Sequence, residues 1–251
     1  MYNSSHRRSQ MTSLVMTLWH FLAVVTFVRV STSQACELTC GPPTELDFDC
    51  PNMNCTVSWQ PPGNVTDTED IRYAVKYQMC HKIPEDGLIE KPGCADTDDS
   101  ECNLGADLED PNKYWCVFVE AICGENDTIS CMPETPIVIH PSNDATLEEP
   151  EIVEVTTTNH SIFVSWRAPL TPYSSPEGTE LRVDDFQMIK CEVKSRIVSE
   201  TKHKRHRDVT MKRQFKLHHN ILPGTDYELE LWGYINSKDG TPTRIMVKTE
   251  E

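Results

Sequence analysis

Residues 161–169 read "SIFVSWRAP" and residues 55–62 read "CTVSWQPP". In the first, Ile162, Val164 and Trp166 fall on alternate positions and the run stops at Pro169. That is the period-2 pattern of a half-buried β-strand closed by a residue that cannot continue a ladder. Working outward, "VDDFQMIKCEVKS" (183–195), "FKLHHNILPGTDYELELWGYI" (215–235) and "TPTRIMVKT" (241–249) follow the later copy. "IRYAVKYQM" (71–79), "LEDPNKYWCVFVEAIC" (108–123) and "TPIVIHP" (135–141) follow the earlier one in the same order. Pro, Gly, Asn and Asp separate the runs, and neither half contains a long period-3.6 stripe. The expected fold is all-β: an internal duplication of a seven-stranded sandwich.

The chain has 251 residues, 38% of them hydrophobic, which fits two globular modules. The turn-rich stretch "HPSNDATLEEPEI" (140–152) marks the boundary, dividing 34–147 from 148–251. Residues 1–33 place Arg7 and Arg8 before "MTSLVMTLWHFLAVVTFV" and then small residues, the order of a secretory signal peptide with cleavage after Ser33. The apolar run is at the long end for such a segment, so an uncleaved N-terminal anchor is the competing reading. No second apolar run of spanning length follows, and a secreted, extracellular product without a membrane span is expected.

Eleven cysteines in an exported chain argue for disulfides; ten lie between Cys36 and Cys131 and only Cys191 lies beyond. Sequons at Asn54, Asn64, Asn126 and Asn159 are the expected glycosylation sites. Residues 34–150 carry 5 basic and 24 acidic side chains, whereas residues 151–251 carry 15 of each, within a formal net charge of -16. The acidic excess therefore belongs to the first module alone, and no nucleic-acid partner is expected.

The Trp-to-Pro step closing the second strand and "ILPGTDY" (221–227) before the sixth resemble fibronectin type III modules. Tyr227 stands four residues after Pro223, where that family places the tyrosine whose hydroxyl closes the turn before the sixth strand. Trp115, four after Pro111, is expected to keep the aromatic anchor without the hydroxyl bond. Tandem modules behind a signal peptide resemble cytokine receptor ectodomains. "CADTDDSECNL" (94–104) is similar to the short cysteine loop of the first module in class II receptors, the interferon-receptor and tissue-factor group. Asn103 replaces that loop's Asp and its Thr is missing; the second module has one cysteine where the group has a pair, and the WSxWS signature of class I receptors is absent.

The resemblance implies a Cys94–Cys102 bridge. Neighbouring third and sixth strands, with Cys80 and Cys116 at ends that meet, imply Cys80–Cys116. Cys123 and Cys131 are expected to close the hairpin tip "CGENDTISC", leaving Cys36, Cys40, Cys50 and Cys55 to pair among themselves. Cys191, on the alternation of Phe186 and Met188, points outward, either as a tolerated thiol or as an inter-chain bridge.

No phosphate loop, His-Glu-x-x-His or Gly-x-Ser-x-Gly turn appears, so no catalytic residue, cofactor or metal is assigned, and the chain reads as a binder rather than an enzyme. In receptors of the resembled plan, loops at the bend between modules meet the ligand. Here they are 81–93, 104–113, 168–181 and 236–241, with Leu88, Ile89 and Tyr173 as candidate exposed anchors. The first functional reading is a soluble receptor-like protein that captures a helical cytokine. The second is an adhesion or matrix protein held by glycosaminoglycan through "HKRHRD" (203–208), with Lys202, Lys204, Arg205 and Arg207 as the polyanion-binding residues of an exposed connection.

Overall fold

The computed structural model describes residues 40–63, 71–81, 87–123, 129–199, 204–210 (backbone only) and 213–251. The signal segment, Cys36, Asn64, Asn126 and Lys202 lie outside the described residues.

In the first module, β1 (Thr44–Asp49), β2 (Thr56–Gln60) and β5 (Glu101–Asn103) form one antiparallel sheet in the order β1-β2-β5. Facing it, β3 (Arg72–Met79) and β6 (Trp115–Cys123) form the centre of a second sheet. β4 (Ile89–Glu90) extends it beside β3, while β7 (Ile129–Cys131) and β8 (Ile137–Ile139) both pair with β6. The second module repeats the plan. β9 (Glu151–Thr158), β10 (Ser161–Arg167) and β15 (Gln214–Leu217) make one sheet; β13 (Lys190–Ile197) and β16 (Asp226–Ile235) anchor the other. β14 (Lys204–Thr210) pairs with β13, and β17 (Lys238–Asp239) and β18 (Thr243–Lys248) pair with β16. A further hairpin, β11 (Leu170–Ser174) with β12 (Glu180–Arg182), and a short helix, Val183–Phe186, fill the connection from β10 to β13. Another four-residue helix, α1 (Pro141–Asp144), links the modules, so Val183–Phe186 is α2.

The alternation in the two opening motifs is realised as burial. Val57 and Trp59 face one core, where Trp59 packs against Tyr73 with ring centroids 5.3 Å apart; Ile162, Val164 and Trp166 face the other. In the second module the Leu222 N–H donates to the Tyr227 hydroxyl at 2.8 Å, closing the turn as the fibronectin type III pattern implies. In the first module Trp115 is the buried aromatic anchor without a hydroxyl bond, and its indole N–H donates instead to the Asp110 carbonyl at 3.0 Å. Both bonds reach five residues back. The aromatic corner therefore survives with its polarity reversed, because indole is a donor only.

Cys80–Cys116 and Cys94–Cys102 form as expected, with Cα atoms 5.0 and 6.2 Å apart. Cys50 pairs with Cys55. The expected Cys123–Cys131 bridge is not formed: Cys123 joins Cys40, whose expected partners were its own neighbours. Register explains this, since Cys131 lies opposite Ala121 and Cys123 lies opposite Ile129. Cys123 shares the inward parity of Trp115, Val117, Val119 and Ala121, where Cys40 is also buried. Cys131 is disulfide-bonded elsewhere.

Cys191 is free, but it is buried rather than outward. Phe186 closes α2, so its parity does not carry into β13, where Cys191 shares the inner side with Val193, Ser195 and Ile197. Burial, then the Asp184 carboxylate, push its thiol above the ordinary range, which keeps it protonated and a poor partner for an inter-chain bridge. The basic segment also differs from expectation: residues 204–210 are a strand on β13 rather than a free connection. Asn159 is exposed in the turn from β9 to β10, and Asn54 is half-buried beside the Cys50–Cys55 bridge.

The joint between the modules as candidate functional site

The Cys50–Cys55 bridge confines a turn in which Asn52 and Met53 take left-handed φ values of 49° and 67°. Asn tolerates that region; Met enters it only because its surroundings hold it there. Met53 is fully buried and belongs to the second module's core, beside Ala145 and Leu147. Asn52 secures the plug: its backbone N–H donates to the Thr146 carbonyl at 2.8 Å, and its side-chain carbonyl accepts from the Glu148 N–H at 3.0 Å. Its amide also donates to the Glu148 carboxylate at 2.6 Å.

The linker is held as firmly from the other module. The His140 Nδ1 accepts from the Asn143 N–H at 3.2 Å, and the Asp144 carboxylate accepts from the His140 N–H at 2.7 Å, capping α1. The α1 carbonyls accept in turn from the second module. Ser142 accepts from Gln187 and Asn236, and the Asp144 carbonyl accepts from Lys238 Nζ at 2.8 Å. Leu147 fits into a notch where a Cβ on Gly240 would lie 2.8 Å from Leu147 Cβ and 2.9 Å from the Gly233 carbonyl. Glycine is required there by close approach.

On the opposite side β11 packs on the 3-10 turn Gly105–Asp107 of the first module. Tyr173, expected as an exposed anchor, is 6% exposed, its ring 5.6 Å from Phe186. Burial, then the Asp110 carboxylate of the first module, raise its hydroxyl above the ordinary range. It is part of the joint rather than of a contact surface, because the hairpin that carries it folds back onto its neighbours. Leu88 is half-buried, and Ile89 is 52% exposed on β4.

Two exposed residues beside the linker were missed by sequence reasoning. Tyr114 is 47% exposed and edge-on to His140, with centroids 4.6 Å apart, and the His81 ring centroid lies 6.3 Å from its own. Met188 is 72% exposed and follows Gln187, which donates to the linker. The signal for Tyr114 was present: it precedes the inward Trp115 and so takes outward parity. Met188 lies on the rim of two cavities of about 480 and 450 Å³. The first is lined by Glu192 and Tyr234, which hydrogen-bond at 2.8 Å, and the second by Asp184 and Arg213, an ion pair at 2.7 Å. Among the described residues no group of three or more His, Cys, Asp or Glu is placed to hold a metal ion. Nor is any helix among them long and apolar enough to cross a membrane. What this arrangement offers chemically is a joint held by hydrogen bonds with apolar side chains exposed beside it.

Residues 14–127 match the tissue factor family model. The chain resembles the extracellular region of class II cytokine receptors. Among solved structures, that of the selenomethionine-substituted chicken interferon gamma receptor alpha chain superposes with a TM-score of 0.55 at 13% identity, covering 84% of this chain and 100% of that one. A two-domain fibronectin type III segment of chicken tenascin gives a TM-score of 0.44 at 16% identity, covering 83% of this chain and 99% of that one. No curated protein matches in sequence. At these identities the interferon gamma receptor chain speaks for the fold alone.

Proposed function

We propose that the protein is a secreted, soluble receptor-like binding protein that captures a helical cytokine at the bend between its modules. The observation that carries this reading is the exposure of Tyr114 and Met188 on either side of a linker tied to both modules. Tyr, Met and other large apolar groups exposed on a rigid frame are suited to act as anchors in a protein interface. A joint already fixed by hydrogen bonds loses little conformational freedom on binding, so more of the contact energy remains as affinity. Ile89 extends the same kind of surface on the first module. The role is one of binding rather than catalysis: the protein occupies the cytokine and withholds it from membrane receptors.

Affinity capture from the secretome of the source organism tests this. Wild-type protein should recover a small helical protein, and Tyr114→Ala/Met188→Glu should not. Recovery of only matrix polysaccharide by both proteins would overturn it in favour of the adhesion reading.

A further inference from the structure

The linker carries a titratable side chain at the point where it leaves the first module. We propose that His140 is a pH-sensitive latch of the joint: as neutral imidazole it caps α1, and on protonation it lets α1 loosen its hold on the second module. The latch is independent of what the protein captures.

Hydrogen-bond roles at α1 fix the state of the ring. A backbone N–H can only donate, so His140 Nδ1, 3.2 Å from the Asn143 nitrogen, is an acceptor. The ring is therefore neutral, with its proton on Nε2. An imidazolium is a donor at both nitrogens and would turn a proton towards the Asn143 N–H. Ser142 Oγ, 3.3 Å from the same Nδ1, has no such restriction, because a hydroxyl can donate or accept. Protonation thus moves the ring's bond from the backbone amide to the hydroxyl. The Asn143 N–H keeps its 2.9 Å bond to the His140 carbonyl, so α1 frays rather than unfolds.

The groups around the ring come from three sides. On α1 the Asp144 carboxylate accepts from the His140 backbone N–H at 2.7 Å and offers a counter-charge to the imidazolium. From the first module, Tyr114 meets the ring edge-on with centroids 4.6 Å apart, and His81 lies against Tyr114. From the second module, Lys238 Nζ donates to the Asp144 carbonyl at 2.8 Å, beside the neutral Gln187 and Asn236. The consequence reaches the second module because α1 is bound to it through carbonyls: Ser142 accepts from Gln187 and Asn236, Asn143 from Asn236 at 3.2 Å, and Asp144 from Lys238. A four-residue helix aligns these carbonyls with few internal bonds, so its cap is a large share of what holds them. The bonds of Asn52 to Thr146 and Glu148 involve no imidazole and persist, so the joint loosens without coming apart.

Amide hydrogen exchange of the full chain tests this, read as protection relative to intrinsic exchange at each pH. Between about pH 7.4 and about pH 5.5, which spans the ordinary imidazole range, wild type should lose about threefold or more of its protection over residues 141–147. The β16 segment, Asp226–Ile235, should keep its own. His140→Asn places a favoured cap whose carbonyl accepts at either pH, and it should stay protected at both; His140→Ala should be weakly protected at both. His81→Gln should respond as wild type does. Equal protection of wild type at the two pH values would overturn the proposal, as would the wild-type loss persisting in His140→Asn. An equal loss in β16 would overturn it as global unfolding, and abolition of the response by His81→Gln would overturn the assignment to His140.

Discussion

Single side chains decide how each module closes its sixth strand. Tyr227 and Trp115 solve the same problem with opposite chemistry, one accepting from Leu222 and the other donating to Asp110. Tyr227→Phe keeps the packed ring and removes the acceptor, so it should cost about 1 kcal/mol in urea denaturation, and Trp115→Phe should cost more because it also loses packed volume. An unchanged midpoint for Tyr227→Phe would show that the bond contributes nothing. Cys191 makes a second prediction. Its folded pKa lies above its unfolded one, so its contribution to stability is whole below about pH 8.5 and is lost as pH rises towards the folded value. Native protein should resist thiol reagents at neutral pH and react once in denaturant, and non-reducing electrophoresis should show no Cys191-linked dimer.

At the level of strands, the bridge pattern is the sharpest check. Non-reduced peptide mapping should yield Cys40–Cys123 and Cys50–Cys55 peptides and no Cys123–Cys131 peptide; the last would contradict the register of β6 with β7. The same elements show what the sequence makes legible. The duplicated sandwich could be read because alternation and turn residues are local, and Trp59, Trp166 and Tyr227 sit where that reading puts them. The Cys80–Cys116 and Cys94–Cys102 pairs followed from strand parity and from the family resemblance. Cys40–Cys123 was not legible, because it depends on a two-residue register offset and on a segment 83 residues away. The parity of Cys191 was lost at α2, where a helical turn resets which face the next residue occupies. β14 was read as a connection because charged residues have low strand propensity, which pairing with β13 overrides.

Between the modules, the joint depends on contacts that no local pattern announces: Met53 crossing into the other core, Asn52 bonding Glu148, and Leu147 seated against Gly240. Gly240→Ala forces a methyl onto Leu147 and the Gly233 carbonyl and should destabilise by about 1–3 kcal/mol, measured by thermal unfolding. Tyr173→Ala should cost about 3–5 kcal/mol and loosen the bend, visible as a broader distance distribution in small-angle scattering, whereas Tyr173→Phe should leave both unchanged. The candidate anchors divide accordingly: Tyr173 supports the surface from inside, and Ile89, Tyr114 and Met188 present it. The central claim is that a helical protein is held at this bend. Its most direct measurement is the affinity of the captured partner for wild type and for the separate Tyr114→Ala and Met188→Glu variants. The account predicts losses of about 2 kcal/mol or more for each, roughly thirty-fold, with unchanged melting temperatures. Wild-type affinity in both variants would contradict it.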